Sequence, residues 1–286
     1  MGNICLMKGE DELQKKKVKH AISFNRQLKA LLKLNACRED IMNKNNFLEM
    51  IEQSNINNHK KYLSQVLRPA FDIVRNTDTE LRMGGSRFGG APDLPIGSEW
   101  PMYEKKPSRF LGQINFTEIT STERGLPSKG LLSLFVANDN YEDVYLEAFE
   151  DGYIHGIYIP ETNNLETLMP PYSDIGKTTV IEFFPTIDIP YDEYQMKDWP
   201  FDEVESDIYT EIRDSLHKSS DYLLGYPSHY TLAYDPTPGS EWIPLLTVDS
   251  DESLEWCWHD GDKLMIFIEK ERLNNLDFSR LKSDAG

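Results

Sequence analysis

Gly84-Gly85-Ser86-Arg87-Phe88-Gly89-Gly90-Ala91-Pro92-Asp93-Leu94-Pro95 divides the chain into two textures. Its glycines admit backbone conformations closed to other residues, and its prolines fix extended turns. Upstream, apolar residues recur three and four apart. Leu28, Leu31, Leu32 and Leu34 follow Lys17–Ile22, then come Phe47 and Ile51, then Tyr62, Leu63, Val66 and Leu67. That spacing predicts helices. Gln53–Asn58 interrupts them, with Asn57-Asn58 as a turn, and Pro69 ends or kinks the last one. Downstream, short apolar runs predict strands at Phe110–Phe116, Leu131–Ala137, Val144–Phe149, Ile154–Ile159, Val180–Phe184, Leu245–Val248 and Lys263–Ile268. Between them Asp198–Ser220 holds an acidic helix, with Phe201, Val204, Ile208 and Ile212 at helical spacing.

Gly97-Ser98-Glu99-Trp100-Pro101 recurs as Gly239-Ser240-Glu241-Trp242-Ile243-Pro244, each ahead of a strand, a polar stretch and a second strand. Gly89-Gly90-Ala91-Pro92 and Leu224-Gly225-Tyr226-Pro227 lie upstream of the two copies. The expectation is an α+β fold. A helical N-terminal segment, residues 1–75, precedes a domain at 76–286. That domain holds two related, mainly antiparallel sheet units, 80–190 and 221–275, packed together and joined by the acidic helical segment.

Composition narrows the function. Apolar residues make up 39% of the chain, a low share, but an aromatic share of 11% supplies large side chains for a core. The net charge of −18 opposes binding to a nucleic-acid backbone, which needs a basic face. The charge is uneven: residues 1–70 carry 13 Lys/Arg against 7 Asp/Glu, so the rest holds the acidity. An acidic surface of this kind suits a basic protein or peptide partner. The cysteines Cys5, Cys37 and Cys257 have no metal spacing, and so sparse a set suits the cytoplasm. No apolar run is long enough for a membrane span, and the charged Gly9–Lys19 is unlike a secretory leader. Met1-Gly2-Asn3-Ile4-Cys5 approaches a lipidation motif but has Leu6 where Ser or Thr belongs.

Taken together, Gly89-Gly90-x-Pro92-x-Leu94-Pro95, Trp100-Pro101, Phe110-Leu111-x-Gln113-Ile114 and Gly130-Leu131-Leu132-x-Leu134-Phe135 resemble the YwqG-like family of bacterial proteins of unknown function. The second half agrees through Leu224-Gly225-Tyr226-Pro227, Leu245-Leu246-x-Val248-Asp249-Ser250-Asp251, Trp258-x-Asp260-Gly261-Asp262 and Leu264-x-Ile266-Phe267-Ile268. The resemblance covers about residues 75–275. It implies a mixed fold with antiparallel sheets and supplies no catalytic residues. Members of that family often lie near secreted-toxin and immunity genes, which implies toxin neutralisation or peptide handling. Gly84–Phe88 stands where the family carries a polar run.

Several constellations could carry chemistry, and each has a plain structural alternative. Gly84–Gly90 with Arg87 could cradle an anion, but lacks the Gly-Lys-Ser/Thr of a P-loop; a tight sheet-edge loop is the alternative. Asp249, Asp251 and Asp260 could hold a divalent cation, although their spacing is not that of an EF-hand; otherwise they cap turns. Trp256 and Trp258, two apart, could form a stacking platform with Trp100 and Trp242, or pack a core. Cys257 near His259 hints at a thiol nucleophile, but a catalytic base normally comes from distant sequence. No Gly-x-Ser-x-Gly elbow or His-Glu-x-x-His motif is present. The favoured function is non-catalytic binding of a protein or peptide, of immunity type, without a cofactor. Arg87, Asp93, Trp100, Gln113, Trp256, Trp258 and His259 are the candidate binding residues. The alternative is a metal- or anion-dependent enzyme using a cleft between the sheet units.

Overall fold

A computed structural model describes residues 42–120, 125–138, 148–172, 175–196 and 198–286. The helix expected at 17–34, the lipidation motif, Cys5, Cys37 and most of the strand expected at 144–149 lie outside the described residues. The chain divides into two compact units, one built from residues up to 65 with 200–215, the other from 66–199 with 216–286.

The described part of the first unit is helical. Helix α1 (Lys44–Glu52) begins where the Asn43 side chain accepts from the N–H groups of Asn45 and Asn46, and it buries Phe47 and Ile51, four residues apart. Helix α2 (Lys60–Val66) buries Leu63. The acidic helix is α3 (Glu203–Asp214), started by a capping box between Asp202 and Glu205. Its buried stripe is Ile208, Tyr209 and Ile212; Val204 faces solvent. Phe201 packs its ring on His59 and Tyr62, and His59 Nε2 lies 3.2 Å from Glu205 Oε2.

The second unit is built from strands. They are β1 (Arg68–Asn76), β2 (Arg87–Gly89), β3 (Asp93–Pro95), β4 (Met102–Tyr103), β5 (Lys106–Pro107), β6 (Arg109–Asn115), β7 (Leu131–Val136), β8 (Ile154–Ile159), β9 (Leu165–Thr167), β10 (Thr178–Asp188), β11 (Tyr222–Leu224), β12 (Trp242–Asp249), β13 (Lys263–Glu269) and β14 (Lys282–Ala285). The short helix α4 (Lys270–Asn274) follows β13. Ten strands form one antiparallel sheet in the order β14-β13-β12-β11-β1-β10-β2-β6-β7-β8, while β3 pairs with β9 and β4 with β5.

This overturns the α+β expectation of a helical segment followed by two packed sheet units. The fold is mostly β, and strands from both halves of the sequence share one sheet. The join is the pair β1–β10, in register from Arg68↔Asp188 to Asn76↔Val180. β1 falls where a helix was expected to run on. Pro69 reads as a helix terminator, but it occupies the second position of a strand, where a missing N–H is tolerated. Ala70, Phe71, Asp72 and Ile73 are all buried, so the strand lacks the alternation that would announce it.

The main core includes Phe71, Ile73, Leu111, Leu246, Ile266 and Trp256. Alternation sends the other face of β13 elsewhere: Met265 and Phe267 pack with Trp242 in a separate cluster. Leu94, Phe110, Leu131, Phe135 and Ile159 form another, with Trp100 against it. Truncating a fully buried leucine such as Leu246 to Ala would cost about 2–5 kcal/mol.

Candidate functional site

The two motifs that stood upstream of and within the second sequence copy form walls of a cleft of about 480 Å³, through Leu224, Gly225, Tyr226 and Pro227 of the first and Gly239, Ser240 and Trp242 of the second. The start of β1 adds Arg68 and Pro69, and the start of α4 adds Lys270. Local sequence explains the geometry. β11 ends at Leu224, at φ 61°, and Gly225 follows at φ 69°, two consecutive left-handed residues. A leucine in that region is a strained residue, held only where its surroundings over-determine it. On the opposite wall, Pro244 interrupts the β12–β13 ladder, and the register slips by one residue between Pro244 and Leu246. Lys270 is placed by its own N–H, which donates to Glu241 O at 2.9 Å.

Tyr226 is held at three polar groups. Its N–H donates to Asp188 Oδ2 at 2.7 Å, and its hydroxyl donates to Val66 O at 2.7 Å. Tyr222 Oη lies 2.7 Å from both Tyr226 O and Ser228 Oγ. A phenol has one proton, so Tyr222 donates to the carbonyl and Ser228 donates to Tyr222. Ser228 in turn accepts from Lys263 Nζ at 3.0 Å. Behind Asp188, His217 Nε2 lies 3.2 Å from Asp188 Oδ1 in an ion pair too poorly aligned for a hydrogen bond, while Nδ1 is 2.7 Å from Asp72 Oδ1. Asp72 and Asp188 are buried, at 2% and 4% exposure. Burial alone would lower the His217 pKa, but the two carboxylates outweigh it and raise it to about 9. The imidazole is therefore charged at neutral pH, a buried Asp–His–Asp triad beneath the cleft loop.

Above the Tyr226 ring lies Arg68, its Cζ 3.8 Å from the ring centroid. The Arg68 guanidinium donates to Gly225 O at 3.4 Å, and Lys270 Nζ to Ser240 O at 3.1 Å. Among the described residues neither cation has a carboxylate within ion-pair distance. Asp235 also lines the cleft, with Oδ1 accepting from Thr237 N–H at 3.0 Å.

The candidate residues from the sequence lie elsewhere. Arg87, Asp93 and Gln113 come together, but inside the protein at 2%, 1% and 0% exposure. Arg87 Nη1 is 2.8 Å from Asp93 Oδ2, which also accepts from Gly84 N–H at 2.7 Å; Gln113 Oε1 accepts from Asp93 N–H. Thr167 closes the set onto Asp93 Oδ1. Burial raises the Asp93 pKa, but Arg87, the Gly84 N–H and Thr167 outweigh it and hold the carboxyl below its usual range. The Gly84–Gly90 loop thus surrounds an internal ion pair. Trp256 and Trp258 pack in the main core with ring centroids 5.6 Å apart, whereas Trp100 and Trp242 belong to two other clusters. His259 and Cys257 are exposed, and the Cys257 thiol meets the His259 carbonyl, not its ring.

Asp251 caps the turn that follows it and pairs with Arg75. Asp249 accepts from the Tyr230 hydroxyl at 3.1 Å, and Asp260 is exposed. Among the described residues no group of three or more His, Cys, Asp or Glu is placed to hold a metal ion, and no helix is long and apolar enough to cross a membrane.

An antiparallel β protein with a cation-lined cleft is the class that fold and site define. Residues 86–283 match the family described as a domain of unknown function, DUF1963, and the chain belongs to that family. The match supports a family without an assigned function; the YwqG-like name rests on the resemblance alone. A comparison with curated proteins gives no significant match.

Sequence reasoning missed Arg68, Asp235 and Lys270. Both loop motifs were in view, and their recurrence drew attention. No local signal marks Arg68, which was read at the end of a helix, or Lys270, which follows the apolar run of β13.

Proposed function

We propose that the protein is a non-catalytic binding protein that takes a small organic ligand in the cleft between β1, β11 and β12. The observation that carries this reading is the double left-handed turn at Leu224-Gly225, clamped from below by Asp188. Strained backbone held by buried charges is costly, and proteins keep such arrangements where a site must be pre-organised. The volume of about 480 Å³ falls in the range of small-molecule sites. A basic protein partner, and with it toxin neutralisation, has less support. Of the candidate binding residues named for it, Arg87, Asp93, Gln113, Trp256 and Trp258 are buried. The enzyme alternative would need Arg87 to face a cleft, and it is buried against Asp93.

The test is a fragment panel of neutral, cationic and anionic members. Saturation-transfer NMR would read binding to the wild type and to Ser240→Trp, which fills the cleft from its exposed wall. Fragments that bind the wild type and are lost from S240W support the reading. Equal binding to both proteins, or no binding of any class, refutes it.

A further inference from the structure

The Arg68 guanidinium rests over the Tyr226 ring, its Cζ 3.8 Å from the ring centroid, a distance at which the ring covers one side of the group. Its single backbone contact, at 3.4 Å to Gly225 O, is long for an N–H···O bond and leaves most of its donors unused. Lys270 stands on the same cleft with one contact, the Ser240 carbonyl. Acidic side chains outnumber basic ones 48 to 30, so carboxylates are plentiful. Elsewhere the chain uses them: Arg75, Arg82, Arg87, Arg109 and Arg272 each pair with at least one. Arg68 is thus the exception among the described arginines, while Lys270 is one of several described lysines without a carboxylate partner and adds a second cation to the same cleft. The cleft also has unspent hydroxyl donors, Thr237 and Ser240, against one acid, Asp235, half engaged in its own turn. Gln195, which donates to Pro227 O, adds a polar group, and an apolar stretch runs from Pro69 and Leu224 to Trp242, Ile243 and Pro244.

We infer that the ligand is an organic monocarboxylate with an apolar body, its carboxylate held by Arg68 and Lys270 and its body against Trp242, Ile243 and Pro244. This rests on the cleft being the binding site. A guanidinium pre-oriented by stacking offers paired N–H donors in a plane, the geometry a carboxylate accepts two at a time. Tyr226 fixes that plane at low entropic cost to the complex, because the Asp188 and Tyr222 contacts already immobilise its backbone. The apolar wall distinguishes such a ligand from a free inorganic anion, which would leave it unused. In so acidic a protein the cleft also selects by charge: long-range repulsion opposes anions everywhere except where cations stand unpaired.

The experiment is titration calorimetry on the full chain with three probes of matched size or charge. These are N-acetyl-L-phenylalanine, its neutral amide, and inorganic phosphate. The carboxylate is expected to bind, and the amide and phosphate to bind at least about tenfold more weakly, since charge-assisted contacts and apolar burial each contribute that much. Arg68→Gln, a surface change that keeps hydrogen-bonding capacity, is expected to weaken the carboxylate about tenfold or more while lowering stability by no more than the about 0.5–1 kcal/mol of its contact with the Tyr226 ring. Lys270→Gln is expected to do the same to a smaller degree. Amide binding as tight as the carboxylate would overturn the inference while leaving the cleft as a ligand site. Phosphate binding as tight would reduce the site to a bare anion hole and overturn it too. Binding by neither these probes nor any member of the fragment panel would remove the inference together with the reading beneath it.

Discussion

Replacing Gly225 by Ala tests whether the cleft loop is held by Asp188. Two costs are separable. At φ 69° an alanine pays the left-handed penalty, about 1 kcal/mol. Its new Cβ would also lie 2.5 Å from Asp188 Oδ2, 3.2 Å from Asp188 Cβ and 3.3 Å from Ala70 Cβ. Ala70 is fixed in β1, so Asp188 must turn away and lose its hold on the Tyr226 N–H. A charged hydrogen bond of that kind contributes about 1.5–3 kcal/mol, and the sum is about 2.5–4 kcal/mol. Gly97→Ala supplies the control: its φ is 83° and nothing lies within 4 Å of the added carbon, so about 1 kcal/mol is expected there. Equilibrium urea unfolding of the two variants, compared at unchanged slope, isolates the Asp188 contribution as the gap of about 2 kcal/mol. NMR titration of His217 gives a second readout, because a displaced Asp188 lets its pKa fall from about 9 towards the ordinary value of 6.5. Equal losses at Gly97 and Gly225, with His217 unmoved, would show that Asp188 does not clamp the loop.

The other expectations concern buried polar groups. Because the folded pKa of His217 is raised, its stabilisation is complete below about pH 6.5 and is lost as pH rises through about 9, up to about 3 kcal/mol in all. Melting temperatures across that window should fall in the wild type and fall less in His217→Gln; parallel curves would mean another group titrates. Arg87→Met strands the Asp93 carboxylate in the interior and should cost about 3–5 kcal/mol by urea unfolding, with Arg87→Met/Asp93→Leu recovering part of it. A double variant as unstable as the single one would show that volume, not charge, is at issue. Among the described residues the buried Trp258 indole N–H has no partner, so Trp258→Phe should cost less than about 1.5 kcal/mol, against about 3–5 for Trp256→Ala. A larger loss at Trp258 on thermal unfolding would indicate that its N–H is bonded after all.

Strands marked by short, largely apolar runs were legible: β6, β7, β8 and β13 fall within a residue of the runs that announced them. The acidic helix was legible too, because Phe201, Val204, Ile208 and Ile212 recur at helical spacing, although Val204 faces solvent and Tyr209 is buried in its stead. β1 was not, since Arg68-Pro69 and the buried Asp72 imitate the end of a helix. With β1 misread, the strands of the two copies had no common partner, and one sheet was taken for two. For the site, the loops could be seen but not their charges. Arg87 was chosen because it sits among glycines, yet those glycines let the chain wrap an internal ion pair. Arg68 and Lys270 are separated by about 200 residues, and only the pairing of β1 with β11 and of β12 with β13 brings them to one cleft.

The β1–β10 pair also has a temporal side. Asn76 meets Val180, more than 100 residues later. At ordinary synthesis rates the ribosome needs about 5–20 s to make that stretch, so β1 emerges long before either of its neighbours exists. During that wait both of its edges are unsatisfied, and it carries Phe71, Ile73 and Val74, a segment suited to pairing with another nascent copy. Asp72 sits in the middle of that segment. In the finished fold it is balanced by His217, which is made later still than β10. Until then its charge makes the waiting strand a poor template for a stranger, so one carboxylate guards the chain during synthesis and anchors it afterwards.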